Sequence, residues 1–314
     1  MASVKRIELN DYQIDEYART KVISMGNIVE VVSTSRHSNG SPCVKIDKDH
    51  YVDNRTGEVF EYSHIDDRSG SIRSIKNTLA HIRALVNTNV VQNENVRWVT
   101  LTYAENMTDP ARLYVDFKRF MTRIRRWCTS SGVPCPEYIS VVEPQSRGAW
   151  HAHVFFIWDC PAPYMDNNAV VAPLWGQGFT KTKALNSCDN VGAYFSAYLA
   201  DLPLDELDML SAVEKEKALS CGCIQDKAFE NDQGHVKEKK FIKGGRLFMY
   251  PPGMNIIRTS RGIKRPQIEL MPRWQAKEKV NSLKLTYSCG FDVVSEAGEV
   301  VCTISKSYYN SKRK

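Results

Sequence analysis

The chain has 314 residues, room for one large domain or two modest ones, and its 42% hydrophobic and 25% charged residues exclude a largely disordered protein. A net charge of +6 permits a nucleic-acid partner without pointing to one. Nine cysteines, an odd number at no repeating spacing, argue against a disulfide scaffold; no run is long enough to span a membrane and the first residues carry no signal-peptide core, so a soluble, cytoplasmic protein is expected.

Residues 1–70 are polar and turn-rich, with Ser38-Asn-Gly-Ser41 and Asn54-Arg-Thr-Gly57 as breakers. Short strands are expected over 27–32 and 59–62, and His37, His50 and His64 are read as surface residues. This segment is taken as an N-terminal extension with no assigned chemistry. From Ser71 the pattern turns helical: Ile72, Ile75, Leu79, Ile82 and Val86 form one apolar stripe, closed by Asn87-Thr-Asn89. The β-branched and aromatic run over 97–103 predicts a buried strand. A second helix follows, with Asp109 as N-cap, Pro110 at its first position, and a core stripe of Leu113, Phe117, Phe120, Met121, Ile124 and Cys128. Its other face carries Lys118, Arg119, Arg123, Arg125 and Arg126, a solvated face or part of a phosphate-binding groove.

Two strands come next, over 137–143 and 150–158, joined by the turn cluster Pro144-Gln-Ser-Arg-Gly148. In the second, His151 and His153 alternate with other residues and so share one face. Two imidazoles on a rigid face can hold a metal ion, or can simply satisfy local hydrogen bonds. If Glu143 pairs opposite His151 or opposite Ala149, it joins them on that face, because even register shifts preserve the face. Two imidazoles and a carboxylate leave coordination positions open, which suits a catalytic rather than a closed structural metal.

After a loop over 160–173, Trp175-Gly-Gln-Gly reads as a tight turn feeding a strand, and Asp189 as the cap of a helix over 190–200. The order strand, helix, three strands, helix predicts an α+β arrangement: an antiparallel sheet with helices packed on one face. An acidic amphipathic helix is expected over 205–219. Cys221-Gly-Cys223 with His235 is a metal pattern that chance also produces. A basic stretch runs from Lys237 through Lys239, Lys240, Lys243, Arg246, Arg258, Arg261 and Lys264 to Arg265, broken into short strands or loops, and the tail from Ser305 is expected to fray. No G-x-x-x-x-G-K-[ST] segment occurs, so no P-loop motor is expected.

Tyr194 and Tyr198 are four residues apart on the last of these helices and therefore neighbours on one face. They are either amphipathic core residues or a phenolic nucleophile with a second beside it. A phenol has a pKa of roughly 10 and is a weak nucleophile until its electrophile is polarised. A metal would do that.

Strand 98–103, then Val142-Glu143-x-Gln145-x-Arg147-Gly148-x-Trp150-His151-x-His153, then Tyr194-x-x-x-Tyr198, resemble in order the three motifs of rolling-circle replication initiators. These are the HUH endonucleases of plasmids, integrative elements and single-stranded DNA phages, and the chain looks most like plasmid-type Rep proteins with two tyrosines. The motifs cover about residues 96–202; Trp175-Gly-x-Gly and the blocks near 251–266 resemble bacterial members less specifically. The resemblance implies His151, His153 and Glu143 as ligands of a divalent metal (Mg2+ or Mn2+) and Tyr194 or Tyr198 as nucleophile. Family members often carry a lysine between or after the tyrosines; this sequence has Ala197 and Asp201 there, with Lys181 or Lys183 as substitutes.

The implied fold is a five-stranded antiparallel sheet of the RRM or ferredoxin-like kind with the histidines on a central strand. It gives a catalytic domain over 71–204, the extension over 1–70, and a basic accessory region over 205–314. The implied activity is DNA nicking and joining on single-stranded and hairpin origin DNA, with a host helicase and DNA polymerase as partners and no membrane. A relaxase or single-strand transposase would use the same chemistry. A catalytically silent, RNA-recognition-like module is the alternative from another class, and would not need the two histidines, Glu143 and the tyrosines to converge.

Overall fold

The computed structural model describes residues 3–8, 14–36, 43–62, 72–185, 190–220, 224–230, 236–251 and 253–313, with the backbone alone at 3, 72–75, 197–198, 227–230 and 236–239. His37, His64, Asp189, Cys221, Cys223 and His235 lie outside the described residues, as do the side chains of Tyr198, Lys237 and Lys239. The chain divides into two compact units, Ile65–Arg265 and Met1–His64 with Pro266–Lys314. The stretch from 205 onward is therefore shared between them. No described helix is long and apolar enough to cross a membrane.

The first unit is built on a five-stranded, wholly antiparallel sheet. In chain order its strands are β1 (Val96–Leu101), β2 (Glu137–Pro144), β3 (Trp150–Ile157), β4 (Thr180–Ala184) and β5 (Ile257–Thr259), and their spatial order is β4-β1-β3-β2-β5. The histidine strand β3 is central, as the resemblance implies. Three helices accompany it: α1 (Ile72–Asn89), α2 (Pro110–Ser131) and α3 (Val191–Ala200).

Helix α2 begins where the sequence predicts. Asp109 accepts a hydrogen bond from the Ala111 N–H at 2.8 Å, Pro110 follows, and Gly132 closes the helix in the left-handed conformation. All six residues of the predicted stripe are buried.

The helices do not share one face of the sheet. Phe120 of α2 meets Phe156, whereas Phe195 of α3 meets His153 and Phe155, and residues 153 and 156 of one strand point oppositely. The reason lies in β3 itself: both of its faces are apolar beyond the histidines, with Val154 and Phe156 on one side and Phe155 on the other all fully buried. Each face needs a cover.

The Trp175-Gly-Gln-Gly turn brings β4 to the sheet edge. Trp175 donates its indole N–H to the Thr102 carbonyl at 2.8 Å. A Cβ on Gly178 would lie 2.3 Å from the Ala104 nitrogen, so only glycine allows this approach.

Beyond α3, the expected single helix over 205–219 is two elements, a 3-10 segment Leu204–Met209 and a helix Ala212–Ser220. Ser211 and Glu214 form a capping box, with the Ser211 N–H on the Glu214 carboxylate at 2.9 Å, and this starts the second helix afresh. Strands Leu202–Pro203, Val236–Ile242 and Ile224–Glu230 make a small three-stranded sheet.

The second unit carries a six-stranded antiparallel sheet in the order Ser3–Ile7, Lys284–Val294, Val300–Asn310, Ile28–Thr34, Arg19–Met25, Gln267–Pro272. Helix Arg273–Val280 lays Ala276 and Val280 over Val22 and Val31. The tail expected to fray is an inner strand: Ser305–Asn310 pairs with residues on both neighbours. Its Thr-Ile-Ser-Lys-Ser-Tyr run is β-favourable, and the basic residues hide that period. A second sheet joins Cys43–Lys45, His50–Asp53 and Val59–Glu61. Cys43, Cys128, Cys135, Cys160, Cys289 and Cys302 are free thiols.

Candidate active site

The β2–β3 hairpin sets the geometry. Glu143 is paired directly with His151, and Val141 with His153, so Glu143, His151 and His153 lie on one face. All three are held by the central strands of the sheet rather than by loops. Across the other ladder, Thr100 of β1 pairs with His153, and its hydroxyl lies 3.3 Å from His153 Nδ1. His153 Nε2 lies 2.6 Å from Glu143 Oε2.

Glu143 and His153 are buried, at 3% and 1% exposure. Burial alone would push the Glu143 carboxyl up, but the hydrogen bond and charge of His153 with the charge of Arg246 outweigh it and hold the group below the usual carboxylate range. The other Glu143 oxygen is bonded by the Arg246 guanidinium. Burial likewise pushes the His151 imidazole down to about 4, against the pull of Glu143, so it is neutral at neutral pH. Its Nε2 is buried with no hydrogen-bond partner.

As the side chains stand, no three His, Cys, Asp or Glu among the described residues surround one point for a cation. Glu143 is engaged with His153 and Arg246. The donor chemistry nevertheless fits a divalent ion: a neutral imidazole with an orphaned buried nitrogen, a second imidazole and an ionised carboxylate share one face. Orphaned buried polar atoms are costly and call for a partner.

The tyrosine helix covers the same face. Phe195 packs its ring 5.7 Å from His153 and 4.8 Å from Phe155. Tyr194 is about half exposed, 46%, and its ring meets Trp98 edge-on at 6.0 Å; Trp98 stands 6.0 Å from His153 in turn. Tyr194 is thus one aromatic ring removed from the histidines. The Tyr198 side chain lies outside the described residues, although its backbone belongs to the same helix.

Helix α1 fixes α3 in place. Asn87 accepts from the Gly192 N–H at 2.9 Å and donates to Asn190 at 3.0 Å, and Asn190 caps the helix through the Ala193 N–H. The described cap is therefore Asn190. Arg83 donates to Ser196 from two nitrogens. At the sheet edge Lys181 pairs with Thr100 and Lys183 with Trp98, so both lysines are on the histidine face.

Sequence reasoning does not single out Arg246 or Asn87. Arg246 is one of many cations in a basic stretch, and Asn87 reads only as a helix stop. The Gly244-Gly245-Arg246 turn, a cation directly after two glycines, is the one available signal.

The sequence model of a family described as replication-associated protein, ORF2 type, matches residues 96–202. The match begins at β1 and ends just after α3, and so takes in the hairpin and the tyrosine helix. It supports a protein of the replication-initiator type. No curated protein and no solved structure matches the chain.

Proposed function

We propose that the chain is a rolling-circle replication initiator of the HUH type with two tyrosines, a site-specific DNA endonuclease and ligase. The observation that carries this reading is the register pairing Glu143 with His151, with the tyrosine helix over the same face. The match over 96–202 supports the replication context.

Glu143, His151 and His153 would hold Mg2+ or Mn2+, which when bound supplies neutralisation of the scissile phosphate's charge. The Trp98, Lys181 and Lys183 rows receive single-stranded DNA on the same face, Trp98 against bases and the lysines against phosphates. Tyr194 or Tyr198 supplies the attacking phenolic oxygen. Its oxygen bonds to phosphorus as the bond from phosphorus to the 3′-oxygen breaks, and the phenolic proton passes to that 3′-oxygen. The products are a 5′-phosphotyrosine and a free 3′-OH that a host polymerase extends. One phosphodiester replaces another, so the reverse transfer rejoins DNA without ATP, and the second tyrosine is the acceptor at termination. Strand separation is assigned to a host helicase, origin hairpin binding to the basic stretch over 237–265, and the setting to the cytoplasm.

The test is to incubate the full chain with a labelled random-sequence single-stranded DNA pool and Mn2+, then run a denaturing gel. Label should travel with the protein, and a chelator or the Tyr194→Phe, Tyr198→Phe double variant should abolish it. Label that remains in the double variant would overturn the tyrosine mechanism.

A further inference from the structure

Arg246 lies outside the segment that matches the replication-associated family, yet it is wired into the candidate site from three sides. It is buried, at 7% exposure. One guanidinium nitrogen bonds Glu143 Oε1 and the Pro144 carbonyl, the latter at 3.2 Å; the other bonds Glu206 Oε2 at 2.9 Å. Ser146, in the hairpin turn, closes on the same Glu206 oxygen.

Its backbone is anchored as firmly. The Arg246 N–H donates to the carbonyl of Ala200, the last residue of α3, at 3.0 Å, and the Gly244 N–H donates to Asp201 at 2.8 Å. Gly245 leaves no room for a side chain, since a Cβ there would lie 2.9 Å from Leu202 Cβ. The turn that presents Arg246 is therefore pinned to the end of the tyrosine helix.

A buried cation between two carboxylates is an expensive arrangement, and apolar packing would serve stability as well or better. What an arginine adds is orientation: its planar fork of donors fixes the carboxylates it bonds. Around metal sites such partners aim the ligand.

We infer that Arg246 is a positioning residue for Glu143: it fixes the carboxylate that would bind the cation and ties it to the C-terminal end of the tyrosine helix. Ligand and nucleophile are thereby kept in one register by a residue that contacts neither DNA nor the reacting atoms. The inference rests on the metal-dependent reading above.

The experiment is Mn2+ binding to the full chain without DNA, by calorimetry and by the Mn2+ paramagnetic resonance signal, for wild type, Arg246→Gln, Arg246→Lys, Glu206→Gln and His151→Ala. Arg246→Gln should weaken binding by about 10- to 100-fold, the range for loss of a ligand's orienting partner. Arg246→Lys keeps the charge but loses the fork, and should fall between Gln and wild type. Glu206→Gln should weaken binding less than Arg246→Gln, because the fork keeps its bond to Glu143.

Coulomb repulsion argues the other way, since removing a cation beside the site should strengthen Mn2+ binding. Tighter binding in Arg246→Gln would therefore overturn the inference and make Arg246 a competing charge. Unchanged binding with a lowered melting temperature would also overturn it, leaving a purely structural role. If Arg246→Gln fails to fold, Arg246→Lys and Glu206→Gln decide, and wild-type affinity in both sinks the proposal. Failure of the underlying reading looks different: wild type itself then shows no Mn2+ binding that His151→Ala removes, and the positioning role falls with it.

Discussion

Glu143 stands directly across the ladder from His151, yet its carboxylate bonds His153, 2.6 Å away at Nε2. The offset leaves the two histidines unequal. His153 is satisfied on both ring nitrogens, by Glu143 and Thr100, whereas His151 keeps a buried nitrogen with no partner. Two residues that resemble each other in the motif therefore play different parts in the folded protein.

Both His151→Ala and His153→Ala should abolish metal-dependent nicking, but their stabilities should separate. His151→Ala removes an unsatisfied group and should leave the unfolding midpoint close to wild type. His153→Ala strips Glu143 of a buried partner and should cost about 1–3 kcal/mol, the penalty for an unmet buried polar group. Urea unfolding of the two variants checks this, and equal losses would contradict the asymmetry.

Tyr194→Phe keeps the ring against Trp98 and removes only the exposed hydroxyl, so stability should barely change. If both tyrosines are nucleophiles, each single Phe variant retains some nicking, joining suffers more than nicking, and only the double variant loses all covalent adduct. A dead single variant beside a wild-type one would make this a one-tyrosine enzyme. Covalent-adduct gels with the four proteins separate the cases.

Much of the site is legible before the fold because strand periodicity carries it. Placing Glu143, His151 and His153 on one face needs only alternation and an even register. The N-cap at Asp109 and the buried stripe of α2 are legible for the same local reason. What escapes depends on long-range pairing. Arg246 reaches Glu143 across 103 residues, and Asn87 reaches Gly192 across 105. Strand Val300–Asn310 reads as a frayed tail because its partners at 28–34 are remote in sequence and its charge dominates the pattern. The second covered face of the sheet is unforeseen because an apolar run on a strand does not say how many covers it will find.

Lys181 and Lys183 share the histidine face through their pairing with Thr100 and Trp98. If they meet phosphates of a single strand, each should contribute about 0.7 to the slope of log binding constant against log salt. Lys181→Gln with Lys183→Gln should weaken single-stranded DNA binding and flatten that slope by about 1.4. Fluorescence anisotropy at several salt concentrations measures it, and an unchanged slope would place the DNA elsewhere.

In the second unit, the hydrogen bond from Asp47, then its charge, raises the His50 imidazole above its ordinary value. A group raised in the folded state contributes stability below its unfolded pKa and loses it as pH rises through the folded value. The pair is solvent-exposed, so the effect on stability is small. The shift itself should be visible: an NMR titration should place His50 above an ordinary histidine, and Asp47→Asn should bring it down. A titration curve unmoved by Asp47→Asn would show that the pair does not form in solution.

Gly192 is where α1 and the tyrosine helix come closest. A Cβ there would lie 2.5 Å from the Arg83 carbonyl oxygen and 2.7 Å from Asn87 Oδ1. Both atoms are held, the first as backbone and the second by its bonds to the Gly192 N–H and Asn190. Neither can retreat without breaking the clamp, so Gly192→Ala must move α3 outward from α1. Overpacking of this kind costs about 1–3 kcal/mol. Because α3 carries Phe195 against His153, the shift should reach the histidines as well, and catalysis should fall by more than the stability loss explains. Asn87→Ala is the companion: it removes one obstructing atom and the bond to Gly192, so it should destabilise the protein alone but add little further loss to Gly192→Ala. A double-mutant cycle on unfolding free energy and on nicking rate tests this coupling. Strictly additive losses in both measurements would mean that the helix pair is not the clamp the contacts describe.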